Sequence, residues 1–206
     1  MITLKITHSK EIDTNRIINT LKNWDWFQEH KYHLILPSGI SPESNTNEIQ
    51  SAVEKDYLDN KIIYQKESSD LLLRWQEHGK KLEEKLISVS LSPQTEYELM
   101  LTSYGVGGSY HVSNKIIVNI KRSYQFGLLK TVIHEIIHLS IEKYIQEYKI
   151  EHWVKERVVD LLMNEFFPGL DKPQEVPIPT ENIDKQFHAF YPDIVKIIKS
   201  VSDNNG

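Results

Sequence analysis

Residues 128–139 read LLKTVIHEIIHL and residues 151–167 read EHWVKERVVDLLMNEFF, and how these two stretches fold decides the rest. In the first, Leu128, Leu129, Val132, Ile133, Ile136, Ile137 and Leu139 recur at helical spacing and supply buried faces. His134 and His138 then stand one turn apart on one face, where both imidazoles reach a single cation, with Glu135 next to the open coordination position. Two unpaired imidazoles among isoleucines are expensive, and a shared metal ion removes that cost. The chain has no cysteine, so any metal must be held by His and carboxylate. Zn2+ on three protein ligands plus water is the arrangement this predicts, with Glu135 as the general base toward that water.

The second stretch is the natural source of the third ligand. Glu156 and Asp160 are four residues apart and share a helical face, with Val158, Val159, Leu161 and Leu162 giving apolar contacts around them. Glu156 is positioned to bind the metal and Asp160 to orient a ligand histidine. Glu151, His152 and Glu165 are further candidates for the third ligand. Without the upstream pattern, Glu156 and Asp160 read as an ordinary charged face with Arg157 in local ion pairs. The region 124–167 divides into two helices near Tyr148 to Glu151 and stops at Pro168-Gly169.

His134-Glu135-x-x-His138 followed by Glu156-x-x-x-Asp160 on the next helix resembles the gluzincin, or thermolysin-like, zinc metallopeptidases. The resemblance implies His134, His138 and Glu156 as zinc ligands, Glu135 as base and Asp160 as support for one histidine. That family often has Asn before the third-ligand Glu and a small residue before the Asp, where this chain has Lys155 and Val159. A metzincin needs Gly and a third His where Ile141 and Tyr144 stand. Gluzincins also place a strand before the active-site helix whose exposed edge holds an extended peptide, and Lys115 to Ile120 occupies the corresponding place.

Upstream, Ile2, Leu4 and Ile6 alternate as in a half-buried strand, and Glu11 to Trp24 has the spacing of a short amphipathic helix. Tyr32 to Leu36 reads as a second strand stopped by Pro37, followed by an exposed loop through residues 38–48. Glu48 to Tyr64 and Ser69 to Leu86 form one long helix or two shorter ones, with Ser68 or Ser69 as a cap for the second. Ile87 to Leu91, Tyr97 to Ser103 and Lys115 to Ile120 are β-prone and are expected to pair antiparallel, with a glycine-rich turn at Gly107-Gly108. Trp24, Trp26 and Phe27 read as core anchors. Downstream, residues 171–180 form an extended proline-rich connection, Asn182 to Val201 a helix interrupted or kinked at Pro192, and 202–206 a frayed end.

The expected fold is α+β: an antiparallel or mixed sheet with an edge strand beside a zincin-type active-site helix, plus a second helix carrying the third ligand. Three segments are expected: 1–110 as an N-terminal scaffold or recognition region, 111–170 as the catalytic core, and 171–206 as connector and C-terminal helix, all within one compact domain or apart. The C-terminal segment after Pro179 is a candidate cover for the cleft. Donors for a developing oxyanion are sought in His188 and Tyr191, or in Tyr110 and His111.

Across 206 residues, 39% apolar and 26% charged side chains place the chain in the globular class. A net charge of -5 without a Lys/Arg block excludes a phosphate-backbone partner. Apolar runs of at most three residues exclude a membrane span, and residues 1–15 lack a secretory h-region, so a soluble cytoplasmic protein is expected. The function expected is zinc-dependent hydrolysis of a peptide or protein substrate; the alternative is a non-catalytic, metal-stabilised binding or regulatory protein built on the same helix pair.

Overall fold

The structure, a computed structural model, describes residues 1–123, 127–170 and 176–203. Its strands are β1 (Thr3–Thr7), β2 (Glu96–Thr102), β3 (Gly108–His111) and β4 (Lys115–Asn119), joined in one sheet of order β1-β2-β4-β3. The helices are α1 (Lys10–Lys22), α2 (Trp24–Glu29), α3 (Thr46–Ser88), α4 (Ile120–Ser123), α5 (Leu128–Glu147), α6 (His152–Phe166), α7 (Glu181–Phe190) and α8 (Ile194–Asp203). The fold is α+β with a mixed sheet.

The sheet is not antiparallel throughout: β1 pairs parallel with β2, and β2 parallel with β4. A parallel neighbour requires a long crossover, and α1 to α3 supply one between β1 and β2. Only β3 and β4, separated by a tight turn with Asn114 at φ 63°, pair antiparallel. β4 is therefore interior, and the expectation of an open edge at Lys115 to Ile120 is corrected. The edge is β3, in the stretch expected to be a glycine turn.

One face of the sheet carries Leu4, Ile6, Tyr97, Leu99, Leu101, Ile116 and Val118, which join Ile133, Ile136 and Ile137 of α5 in one apolar cluster. That cluster draws side chains from all three expected segments, from Ile2 to Val201. The opposite face presents Lys5, Glu98 and Lys115 to solvent, with Lys115 Nζ 3.7 Å from Glu98.

α3 runs unbroken for 43 residues from a capping box in which Asn45 and Glu48 satisfy each other's backbone N–H groups. Ser68 and Ser69 do not cap a second helix: their hydroxyls donate to the carbonyls of Tyr64 and Gln65, one turn back, and the helix passes through. Nor is Ile87 to Leu91 a strand. It closes α3, with Leu86, Val89 and Leu91 buried, Ile87 exposed, and Ser90 at φ 60°. Tyr32 to Leu36 likewise makes only one bridge, Ile35 to Gly105, since the His33 carbonyl is taken by Arg122 Nη1.

Pro192 interrupts the last helical stretch, separating α7 from α8. Arg157 of α6 grips Asp184 of α7 through two hydrogen bonds of 2.7 Å. Residues 171–175 of the expected connection, 204–206 of the expected frayed end, and 124–126 lie outside the described residues.

α1, N-capped by Ser9, lies against the end of β2. Its fully buried Asp13 accepts hydrogen bonds from Thr102 Oγ1 at 2.7 Å, Tyr64 Oη at 2.8 Å and the Ser103 N–H at 3.3 Å. Burial raises the Asp13 carboxyl above its ordinary value of 3.8, against those hydrogen bonds. The folded state thus holds this proton more firmly than the unfolded chain. The stability this contributes is present below pH 3.8 and is lost as pH rises through the raised value. Replacing Asp13 by Asn removes that loss, so the Tm of the variant relative to the parent should climb across this window and then level. A pH-independent difference would contradict the assignment.

Candidate metal centre

α5 buries Leu129, Val132, Ile133, Ile136 and Ile137, which leaves His134, Glu135 and His138 on the face turned to α6 and β3. A short link through Tyr148 and Ile150 returns the chain as α6, whose buried Val158, Val159 and Leu162 hold Glu156 and Asp160 inward. All five polar side chains are buried, with exposures of 2–7% across the site.

His134 Nε2 and His138 Nε2 lie 2.9 Å apart, and each is 3.3 Å from Glu156 Oε2. Ligand atoms held at about 2.0–2.1 Å in a tetrahedral set stand about 3.3–3.4 Å from one another, so this triangle fits one face of such a set. Among the described residues, His134, His138 and Glu156 are the group able to hold a metal ion. Glu151 at the start of α6, His152 and Glu165 are not part of it.

Electrostatics fit the same assignment. Burial opposes the Glu156 carboxylate, yet His138 and His134 hold it well below the usual range. Burial pushes His138 down to about 4, so its ring is neutral and a lone pair is free to bind a cation. His134 is raised despite its burial, by Glu156 first and by Glu135 and Asp160 as well. Asp160, 2% exposed, is one of the carboxylates whose charge raises His134.

Glu135 reaches β3, with its Oε1 against Gly108, and burial raises its carboxyl to about 7, against the pull of His134, Lys155 and Arg16. A base poised near neutrality suits proton transfer. Its place depends on Gly108: a Cβ there would overlap Glu135 Oε1 and stand 2.7 Å from Thr131 Cγ2. The glycine lets β3 approach the carboxylate, where the sequence read only a glycine-rich turn. Gly108→Ala is expected to keep the fold and the metal while displacing Glu135, with at least a tenfold loss of any turnover that uses this base. Full turnover with the Glu135 side chain unmoved in a crystal structure would contradict it.

Behind the edge strand, buried Arg16 donates from Nη1 to Ser109 Oγ at 2.9 Å and anchors β3 to α1. Tyr110, on the α5 side of β3, stacks on His138 with centroids 5.1 Å apart. Its hydroxyl donates to Glu142 Oε2 at 2.5 Å and accepts from Lys155 Nζ at 3.1 Å.

The site opens into a cleft of about 920 Å³, walled by β3 and the turn after it, by α5 and α6, and by Trp26, Phe27 and Tyr32. Of the four expected oxyanion donors, Tyr110 and His111 line this cleft. His188 and Tyr191 do not: His188 is exposed on α7, and Tyr191 stacks on Phe187 beyond it. No described residue of 176–203 lines the cleft either, because Ile183, Phe187, Ile197 and Val201 turn α7 and α8 into the core, so the idea that this segment covers the site is corrected.

Tyr32 and His152 carry more than the sequence suggested. Tyr32 Oη is 2.8 Å from His152 Nε2, and His152 Nδ1 is 3.8 Å from Glu156 Oε1, linking the cleft wall to the third candidate ligand. Trp26 and Phe27 are not core anchors, since α2 buries none of its residues. Nothing local marks these roles, because the partners lie about 120 residues downstream. No helix among the described residues is long and apolar enough to cross a membrane.

Comparison with known protein families, with curated proteins and with solved structures returns no match to this chain.

Proposed function

We propose that this chain is a gluzincin-like zinc metallopeptidase. The observation that carries the reading is the convergence of His134 Nε2, His138 Nε2 and Glu156 Oε2 on one point at the floor of an open cleft, with Glu135 alongside. Two imidazoles and a carboxylate suit Zn2+, and three protein ligands are the usual number for a catalytic site, where a structural one has four. When bound, zinc supplies Lewis acidity that polarises the scissile carbonyl and acidifies water.

The residues of the chain do the rest. Glu135 takes the proton of the attacking water and delivers it to the leaving amine. Asp160 steadies His134 from behind. β3 offers the substrate a strand: the Asn119 N–H donates to the Gly107 carbonyl, so by alternation the backbone groups of Gly108 and Tyr110 face the open side. An extended peptide binding there keeps its scissile bond alongside Glu135. With His152 protonated on Nε2 and donating to the Tyr32 oxygen, the Tyr32 proton is left for an oxygen in the cleft. His111 is a second donor on the rim. A net charge of -5 argues for polypeptide over nucleic acid as the substrate.

The test is direct. The zinc-loaded protein is incubated with a mixture of unstructured polypeptides, and new amino termini are read by mass spectrometry. Cleavage that stops on chelation and returns with zinc is expected. One zinc per chain with every polypeptide left intact would favour the non-catalytic, metal-stabilised alternative.

A further inference from the structure

Resting on that peptidase reading, we propose that the aromatic end of the cleft, formed by Trp26, Phe27 and Tyr32, is a subsite for an aromatic or large apolar side chain of the substrate beside the scissile bond.

The rings there are arranged as a shelf. Trp26 stacks on His30 with centroids 4.1 Å apart and planes 21° from parallel, and lies near-parallel to Tyr32 at 5.7 Å. Tyr32 in turn stacks on Trp153 at 6.0 Å, and Phe27 stands edge-on to both Trp26 and Tyr32. Such a group could simply glue a segment to the protein, but α2 buries none of its residues and Trp26 keeps 41% of its surface exposed. The segment is instead pinned by polar contacts outside the shelf: the Ile35 bridge to Gly105 and the His33 carbonyl on Arg122. Trp26, Phe27 and Tyr32 all line the cleft, where exposed apolar surface marks a contact site.

Position fixes what the shelf would meet. It begins two side chains from the candidate third ligand, through Tyr32 Oη to His152 and His152 to Glu156. Much of the remaining lining is polar or charged, with Lys155, Glu142, Lys130 and Arg122. A peptide lying along β3 with its scissile bond at Glu135 thus meets a cluster of aromatic rings at this end of the cleft. A planar ring there gains offset stacking as well as burial. Trp and Tyr faces also attract cations, which makes a lysine side chain the alternative occupant.

The experiment uses the full chain loaded with zinc and three peptides identical except for Phe, Ala or Lys at each residue flanking the cleaved bond. A Phe-over-Ala preference of about tenfold or more in kcat/KM is expected at one flank. The same preference is expected in the Kd of the zinc-loaded Glu135→Gln protein, measured by calorimetry without turnover. Trp26→Ala, and separately Phe27→Ala, should bring both ratios toward unity with Tm unchanged. Equal ratios in the parent, a preference kept in both variants, or a Lys preference would each overturn the subsite. If no peptide is cleaved, the peptidase reading fails while the Kd ratio still decides whether the shelf binds aromatic side chains.

Discussion

Glu135→Gln should bind one metal ion per chain as the parent does and lose about a hundredfold to ten-thousandfold of its turnover. The amide preserves the shape of the side chain in its fit between Gly108 and Thr131, so neither β3 nor the metal triangle has reason to move. What disappears is a carboxylate beside the triangle that takes no part in it. Metal stoichiometry and kcat measured on the same preparation separate the two roles. Undiminished turnover would remove Glu135 from the chemistry, and loss of metal would move it into the ligand set.

The second large effect is on stability. Without an ion, the centre keeps two imidazoles and three carboxylates buried together, with Glu156 Oε2 3.3 Å from both ring nitrogens. Zinc at about a thousand times its Kd should stabilise the folded chain by about 4 kcal/mol. For a chain of this size that corresponds to a rise in Tm of roughly 8–16 °C. Glu156→Gln should lose most of that rise, since a neutral amide is a poor ligand and leaves only the two histidines. Equal zinc-induced shifts in parent and variant would show that the ion binds elsewhere.

The metal centre was legible because its determinants are local. An i, i+4 histidine pair and a Glu-x-x-x-Asp on the next helix need only helical periodicity to converge, and the intervening isoleucines announce that periodicity. What the sequence hid is everything decided by distant pairing. Strand order depends on which backbones meet, so β4 read as an edge when β3 takes that place. Gly108 looked like a turn glycine because the side chain it must make room for is Glu135, on another element. Ile87 to Leu91 is too short an apolar run for its composition to separate a strand from a helix end. Trp26 and Phe27 looked like core residues since aromatic content alone does not say which rings face water.

The parallel pairing of β1 with β2 also governs how the chain comes to be made. Thr3 and its partner Glu96 are separated by more than ninety residues, so the first strand synthesised waits for the whole of α3 before it has a neighbour. At ribosomal rates of about 5–20 residues per second, that delay is roughly 5–20 s. Glu156 follows later still, so the ion can be captured only after the sheet has its partners. A metal ion held by His134, His138 and Glu156 would then act on an already paired sheet, as a lock on α5 and α6 rather than as a seed for β1.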